Sequence, residues 1–191
     1  MQASLSGLSK WILGVFGWKL VGEIPKIRKY VVIIGPHTSN WDFLIFVLVK
    51  FAYKINVVFI GKHTIFVGPF DWILRRLGGL PVNRESSHRV VDQIVDEFNK
   101  RDSMIFGLSP EGTRRYRNHW KSGFYHIARK ANVPVLSAFL DTKTMTLGWG
   151  PVFELTDDKH ADLKRIAVFY SDKIGIKPEK FSKIVFSDRA N

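Results

Sequence analysis

The chain has 191 residues, a formal net charge of +12, and hydrophobic residues over 46% of its length. That length and apolar content exclude a disordered chain and fit one domain with a sizeable core. The lack of cysteine excludes disulfides, thiolate metal sites and a cysteine nucleophile, and the positive charge asks for an anionic partner: nucleic acid, anionic lipid or an acidic carrier protein. The 6 Trp and 15 Phe favour lipid, since aromatic side chains suit a bilayer interface.

Residues 4–21 carry Leu5, Leu8, Ile12, Val15 and Phe16 at helical spacing, with Lys10 and Lys19 at the flanks. A helix here either lies in a bilayer interface or packs on the core. No run reaches the ~18 apolar residues of a spanning helix, and no small-residue cleavage site follows, so the expectation is a chain neither exported nor membrane-spanning. Val31-Val32-Ile33-Ile34, ended by Gly35-Pro36, reads as a buried strand and turn. Ser39 or Asn40 then caps a helix to about Lys50. Ile55 to Ile60 is a second strand, Asp71 to Leu77 a short helix, and residues 78–82 a short strand. A helix capped by Ser86 or Ser87 follows, with Val90, Val91, Ile94, Val95 and Phe98 on one face. Met104 to Leu108 is a strand, Gly123 to Ala131 a helix, and Val133 to Phe139 a strand. Residues 144–153 and 166–170 read as further strands, and the polar tail from Lys173 as a frayed helix. The sum is a single-domain α/β fold: a mixed, mostly parallel sheet flanked by helices, with an N-terminal helix over 1–22 and the body over 23–191.

Three stretches carry chemistry. His37 stands five positions before Asp42, in a loop at the carboxyl end of a strand, where open α/β sheets build their sites. The carboxylate can hold one imidazole nitrogen and leave the other to take a proton from a hydroxyl. No serine accompanies the pair, so the nucleophile belongs to the substrate. Gly78-Gly79-Leu80-Pro81-Val82-Asn83-Arg84 lets backbone approach closely and ends in a phosphate-holding fork, or is an ordinary helix stop with a surface arginine. Pro110-Glu111-Gly112-Thr113-Arg114 sets a carboxylate, a hydroxyl and a cation around a glycine, or is only a turn.

In this order the stretches resemble the signature motifs of the glycerolipid acyltransferases typified by 1-acylglycerol-3-phosphate acyltransferase. That family carries H-x-x-x-x-D, a Gly-rich stretch ending in Arg, a P-E-G-T-R stretch and an apolar V-P-V-like stretch, here Val133-Pro134-Val135. The resemblance runs from about Gly22 to Asp141 and looks closest to short bacterial members with an H-T-S-N-W-D-F block. Ser109 and Leu80-Pro81 depart from the usual residues and bear on the acceptor pocket rather than the chemistry. The resemblance implies His37 as general base and Asp42 as its orienting partner. It implies Arg84 and Arg114 on the acceptor's phosphate, Glu111 near a glycerol hydroxyl, and Gly112 and Thr113 lining the pocket. It implies acyl-CoA or acyl carrier protein as donor, no permanently bound cofactor and a lysophospholipid acceptor. The N-terminal helix and basic surface point to a cytoplasmic location, peripheral on the inner face of the cytoplasmic membrane.

Lys62 and Lys121 are weaker candidates near the site. His63, His88, His119, His126 and His160 show no metal spacing, although His119 and His126 could share a helix face. Two rivals remain open at this stage. One is a basic nucleic-acid binder, which the charge favours but no motif supports. The other is an idle lipid-binding member of the same fold. The expectation is an enzyme that binds no nucleic acid.

Overall fold

The computed structural model describes residues 2–82 and 87–187. Among these residues, seven strands form one sheet: β1 (Lys19–Val21), β2 (Lys29–Gly35), β3 (Val57–Lys62), β4 (Gly79–Val82), β5 (Met104–Leu108), β6 (Val135–Asp141) and β7 (Thr146–Phe153). Their order is β1-β7-β6-β2-β5-β3-β4, and every neighbouring pair is parallel except β6 with β7. The mixed, mostly parallel sheet is thus the observed one. The central strand β2 is covered on both faces, which is why it reads as an unbroken apolar run rather than an alternating one.

Six described helices flank the sheet: α1 (Gln2–Val15), α2 (Trp41–Ala52), α3 (Pro69–Arg76), α4 (Ser87–Lys100), α5 (Gly123–Ala131) and α6 (Lys159–Tyr170). On one face, Val31 and Ile33 of β2 pack with Ile94 and Phe98 of α4, Phe124 and Ile127 of α5, and Leu163 and Ile166 of α6. On the other face lie α1, α2 and α3. Phe59 of β3 meets Phe43 and Phe46 of α2 edge-on, and Leu13 of α1 joins Ala52, Leu140 and Leu147.

Helix α1 packs on the core with an unusual face. Its buried side chains are Ser6, Ser9 and Leu13, and the Ser6 hydroxyl donates to the Ala52 carbonyl at 2.9 Å. Leu5, Leu8, Trp11, Val15 and Phe16 point outward, Phe16 lying just past the helix end. Small side chains let α1 approach α2 closely, so the large apolar ones are left for the solvent side. The helix expected over residues 4–21 stops at Val15, and Lys19–Val21 instead adds an edge strand beside β7.

Two more expectations change. Residues 166–170 are not a strand; they end helix α6. Ile166, Val168 and Phe169 look strand-like, but Asp158 caps a helix by accepting from His160 N at 3.1 Å and Ala161 N at 2.9 Å. Leu163, Ile166 and Tyr170 then fall on one buried stripe. The tail is not a frayed helix. It runs across the end of the sheet, with a 3₁₀ turn at Pro178–Lys180, and buries Phe186 in the core. Just past α3, Gly78 has φ +96°, and a Cβ there would stand 2.2 Å from the Val57 carbonyl oxygen, so backbone does approach closely here.

Candidate active site

Strand β2 ends at Gly35, and α2 begins six residues later. Between them His37 sits in the loop and Asp42 in the first turn of the helix, where a carboxylate is favoured by the helix dipole. Asp42 Oδ2 accepts the backbone N–H groups of Thr38 and Ser39, each at 2.8 Å. The same oxygen lies 3.0 Å from His37 Nδ1. That pairing turns a protonated Nδ1 toward the carboxylate and leaves Nε2 as the acceptor nitrogen. The His37 side chain is 23% exposed and that of Asp42 is 7% exposed, so the ring faces solvent from a buried brace. Ser39 Oγ accepts Trp41 N at 3.3 Å, while Asn40 stands at the cap position without capping.

Strands β2 and β5 are parallel neighbours, so the loops leaving their carboxyl ends meet. The loop after β5 brings Glu111 beneath His37. Glu111 is fully buried; its Oε1 accepts His37 N at 2.5 Å and its Oε2 accepts Ser182 N at 3.1 Å. Both oxygens are therefore engaged by backbone, and Glu111 braces the histidine loop from inside. Burial also pushes its carboxyl above the ordinary Glu value, with the His37 and Ser182 amides and the His37 charge pulling the other way.

Gly112 has φ +65°, and a Cβ there would press the Lys121 side chain at 2.9 Å. Thr113 Oγ1 accepts Arg115 N at 3.3 Å. Arg114 is exposed, and its guanidinium donates to the Asn40 side-chain oxygen, which ties the two loops together on the outside. Arg84 lies outside the described residues.

Below the histidine loop, an apolar cleft runs between α2 and the sheet. Pro36 and Asp42 line one end and Lys50, Ile55 and Val57 the other, with Val32, Ala138 and Leu140 along the floor. Eight residues of helix separate Asp42 from Lys50, about 12 Å at 1.5 Å per residue.

The family model for Acyltransferase matches residues 21–140. The chain belongs to the Acyltransferase family. The match takes in β2, β5 and both loops of the site. Among solved structures, the acyltransferase is similar to the crystal structure of the 1-acyl-sn-glycerophosphate (LPA) acyltransferase, PlsC, from Thermotoga maritima. The TM-score is 0.62 at 20% identity, covering 87% of this chain and 76% of that one, which shows a shared fold. No curated protein matches the chain in sequence.

Three structural supports of the acyltransferase site escaped the sequence reading. The first is the tail. Lys177 N donates to Thr38 Oγ1 at 3.0 Å, Ser182 N donates to Glu111, and Arg117 N donates to Ser182 Oγ at 3.2 Å. The apolar Phe181, Ile184 and Phe186 were the available signal that this segment is packed. The second is Lys50, the one charge in the apolar stretch Phe43–Ala52. It is buried at the far end of the cleft and donates from Nζ to the Leu77 carbonyl at 2.5 Å; desolvation lowers its pKa. Tyr170 is the third, deep under the loop: its hydroxyl lies 2.9 Å from the Ile33 carbonyl and 3.0 Å from that of Ala138.

The remaining candidates are peripheral. Lys62 is exposed at the end of β3, and Lys121 is exposed with its side chain across Gly112. His119 precedes α5 rather than sharing a helix face with His126. Among the described residues, no three His, Asp or Glu side chains gather as a metal site.

Proposed function

We propose that this acyltransferase moves a fatty acyl group from a thioester, acyl-CoA or an acylated carrier protein, to a hydroxyl of a lysophospholipid, with 1-acylglycerol-3-phosphate as the first acceptor to test. The observation that carries this reading is the His37–Asp42 pair, whose Asp42 lines an apolar cleft. A thioester carbonyl placed beside His37 would set its alkyl chain against the apolar lining along α2. The acceptor oxygen attacks that carbonyl as His37 Nε2 takes its proton, and Asp42 stabilises the imidazolium. The collapsing tetrahedral intermediate expels the thiolate, which takes the proton back from His37.

The oxyanion needs donors. The amides of His37, Thr38 and Ser39 already serve the carboxylates of Glu111 and Asp42. Donors therefore come from other groups, and Arg114 is the cation that Asn40 holds at the start of α2. The acceptor's phosphate is assigned to Arg84 and Arg114.

The acyltransferase works as a peripheral protein on an anionic membrane. No described helix is long and apolar enough to cross a membrane. Helix α1 supports peripheral contact, because it turns serines inward and Leu8, Trp11 and Val15 outward.

The test is thiol release from palmitoyl-CoA and from an acylated carrier protein, with and without a lysophospholipid panel. Acceptor-dependent release by the wild type that His37→Ala loses supports the reading and names donor and acceptor. Equal release by both proteins overturns the role of His37. Lipid binding without turnover of any donor favours the idle-homologue reading.

A further inference from the structure

We propose that residues 65–73, the loop after β3 and the first turns of α3, form a second lipid-seating element that docks on an anionic bilayer beside the histidine loop. Ile65, Val67, Phe70, Trp72 and Ile73 are all exposed, Phe70 by 63% and Trp72 by 69%. Single exposed apolar residues are ordinary, but five large ones within nine positions form a patch that asks for a partner.

The patch is held from within. Phe66 and Ile65 pack where a side chain on Gly61 would stand, Arg75 lies 5.7 Å over the Phe66 ring, and Lys50 grips the carbonyl of Leu77. Gly61 shares its strand face with Val57 and Phe59, so the patch lies on the same side of the sheet as α1 and α2. It also leaves the carboxyl end of β3, the end of the sheet that carries His37. The outward residues of α1, together with Trp41 and Leu44 at the start of α2, belong to this same side.

Charge selects the occupant. From Met1 to Val82, the segment that holds α1, α2 and α3, ten basic residues stand against three acidic ones: Glu23, Asp42 and Asp71. Asp42 is buried with His37, and Asp71 accepts from Arg75 at 2.7 Å. Lys62 and Arg76, which flank the patch along the chain, are exposed. Apolar aromatics rimmed by cations match the headgroup layer of an anionic membrane. The inference concerns lipid contact alone and does not depend on the acyl-transfer reading.

The full chain is sedimented with vesicles of phosphatidylcholine alone and with equal parts phosphatidylcholine and phosphatidylglycerol. The proteins are wild type, Phe70→Ser/Trp72→Ser, Trp11→Ser/Phe16→Ser, and Val168→Ser as an exposed apolar control on α6. The expected result is tighter binding to the anionic vesicles, a fall of about tenfold or more in partitioning for Phe70→Ser/Trp72→Ser, and no change for Val168→Ser. Thermal unfolding should be alike in wild type and Phe70→Ser/Trp72→Ser, since both side chains lie on the surface. Wild-type partitioning by Phe70→Ser/Trp72→Ser, with loss only in the α1 variant, overturns the proposal. So does a wild type that ignores the vesicles, or a lipid-free dimer that Phe70→Ser/Trp72→Ser dissolves, which would make the patch a contact between two copies.

Discussion

The buried carboxylate of Glu111 accepts the backbone N–H of His37 at 2.5 Å, across 74 positions of chain. Its second oxygen accepts Ser182 N–H from the tail. One side chain thus joins the histidine loop, the loop after β5 and the tail. Glu111→Gln turns an amide NH₂ toward one of those N–H groups, which costs about 1–3 kcal/mol. Turnover should fall at least tenfold with little change in donor KM, because the change moves the histidine rather than the binding surface. An unaltered kcat would separate Glu111 from the positioning of His37.

The same carboxyl gives a signed pH effect. Burial holds its folded value above its unfolded one, so the folded chain binds the proton more tightly. Its contribution to stability is full below the ordinary Glu value and is lost as pH rises through the raised one. The stability deficit of Glu111→Gln relative to wild type should therefore shrink as pH rises through that window. Chemical denaturation at a series of pH values reads the difference, and a deficit that grows with pH would reverse the sign.

Loss of the positioned base should be severe. His37→Ala is expected to lower acyl transfer by roughly 10²–10⁴ with the fold intact, and Asp42→Asn to lower it less. The substituted amide keeps one oxygen for the Thr38 and Ser39 N–H groups, which both rest on Oδ2 of Asp42 in the wild type. Steady-state rates with melting curves on the same preparations check both.

The tail's grip on the site can be released without touching a charge. Thr38→Val keeps the shape of a side chain that is 1% exposed but leaves Lys177 N–H without its acceptor. The expected cost is about 1–3 kcal/mol, or a melting point lower by roughly 2–10 °C for a domain this size. Differential scanning calorimetry measures it.

The apolar cleft should set the length of the acyl chain. Val49→Phe narrows it beside Lys50. Rates with palmitoyl donors should drop about tenfold relative to octanoyl donors, with an overpacking cost of about 1–3 kcal/mol. An unchanged chain-length profile would place the acyl group elsewhere.

Local order along the chain was enough to determine most elements and the His37–Asp42 pair. Strand β5 and helix α5 have the limits that periodicity and turn residues set, and a histidine five residues before a first-turn aspartate needs only one loop to meet it. The α6 segment misled because Ile166, Val168, Phe169 and Tyr170 suit a strand locally, whereas the Asp158 cap and the buried stripe act over the whole helix. Tertiary structure alone decided the rest. Glu111 reaches His37 because β2 and β5 are parallel neighbours, and the polar tail is ordered because its backbone N–H groups find acceptors on Thr38 and Glu111. It also decided which face of α1 is buried. Periodicity shows that a helix has an apolar side, but the close approach of α1 to α2 admits Ser6 and Ser9 and turns Leu8 and Trp11 outward.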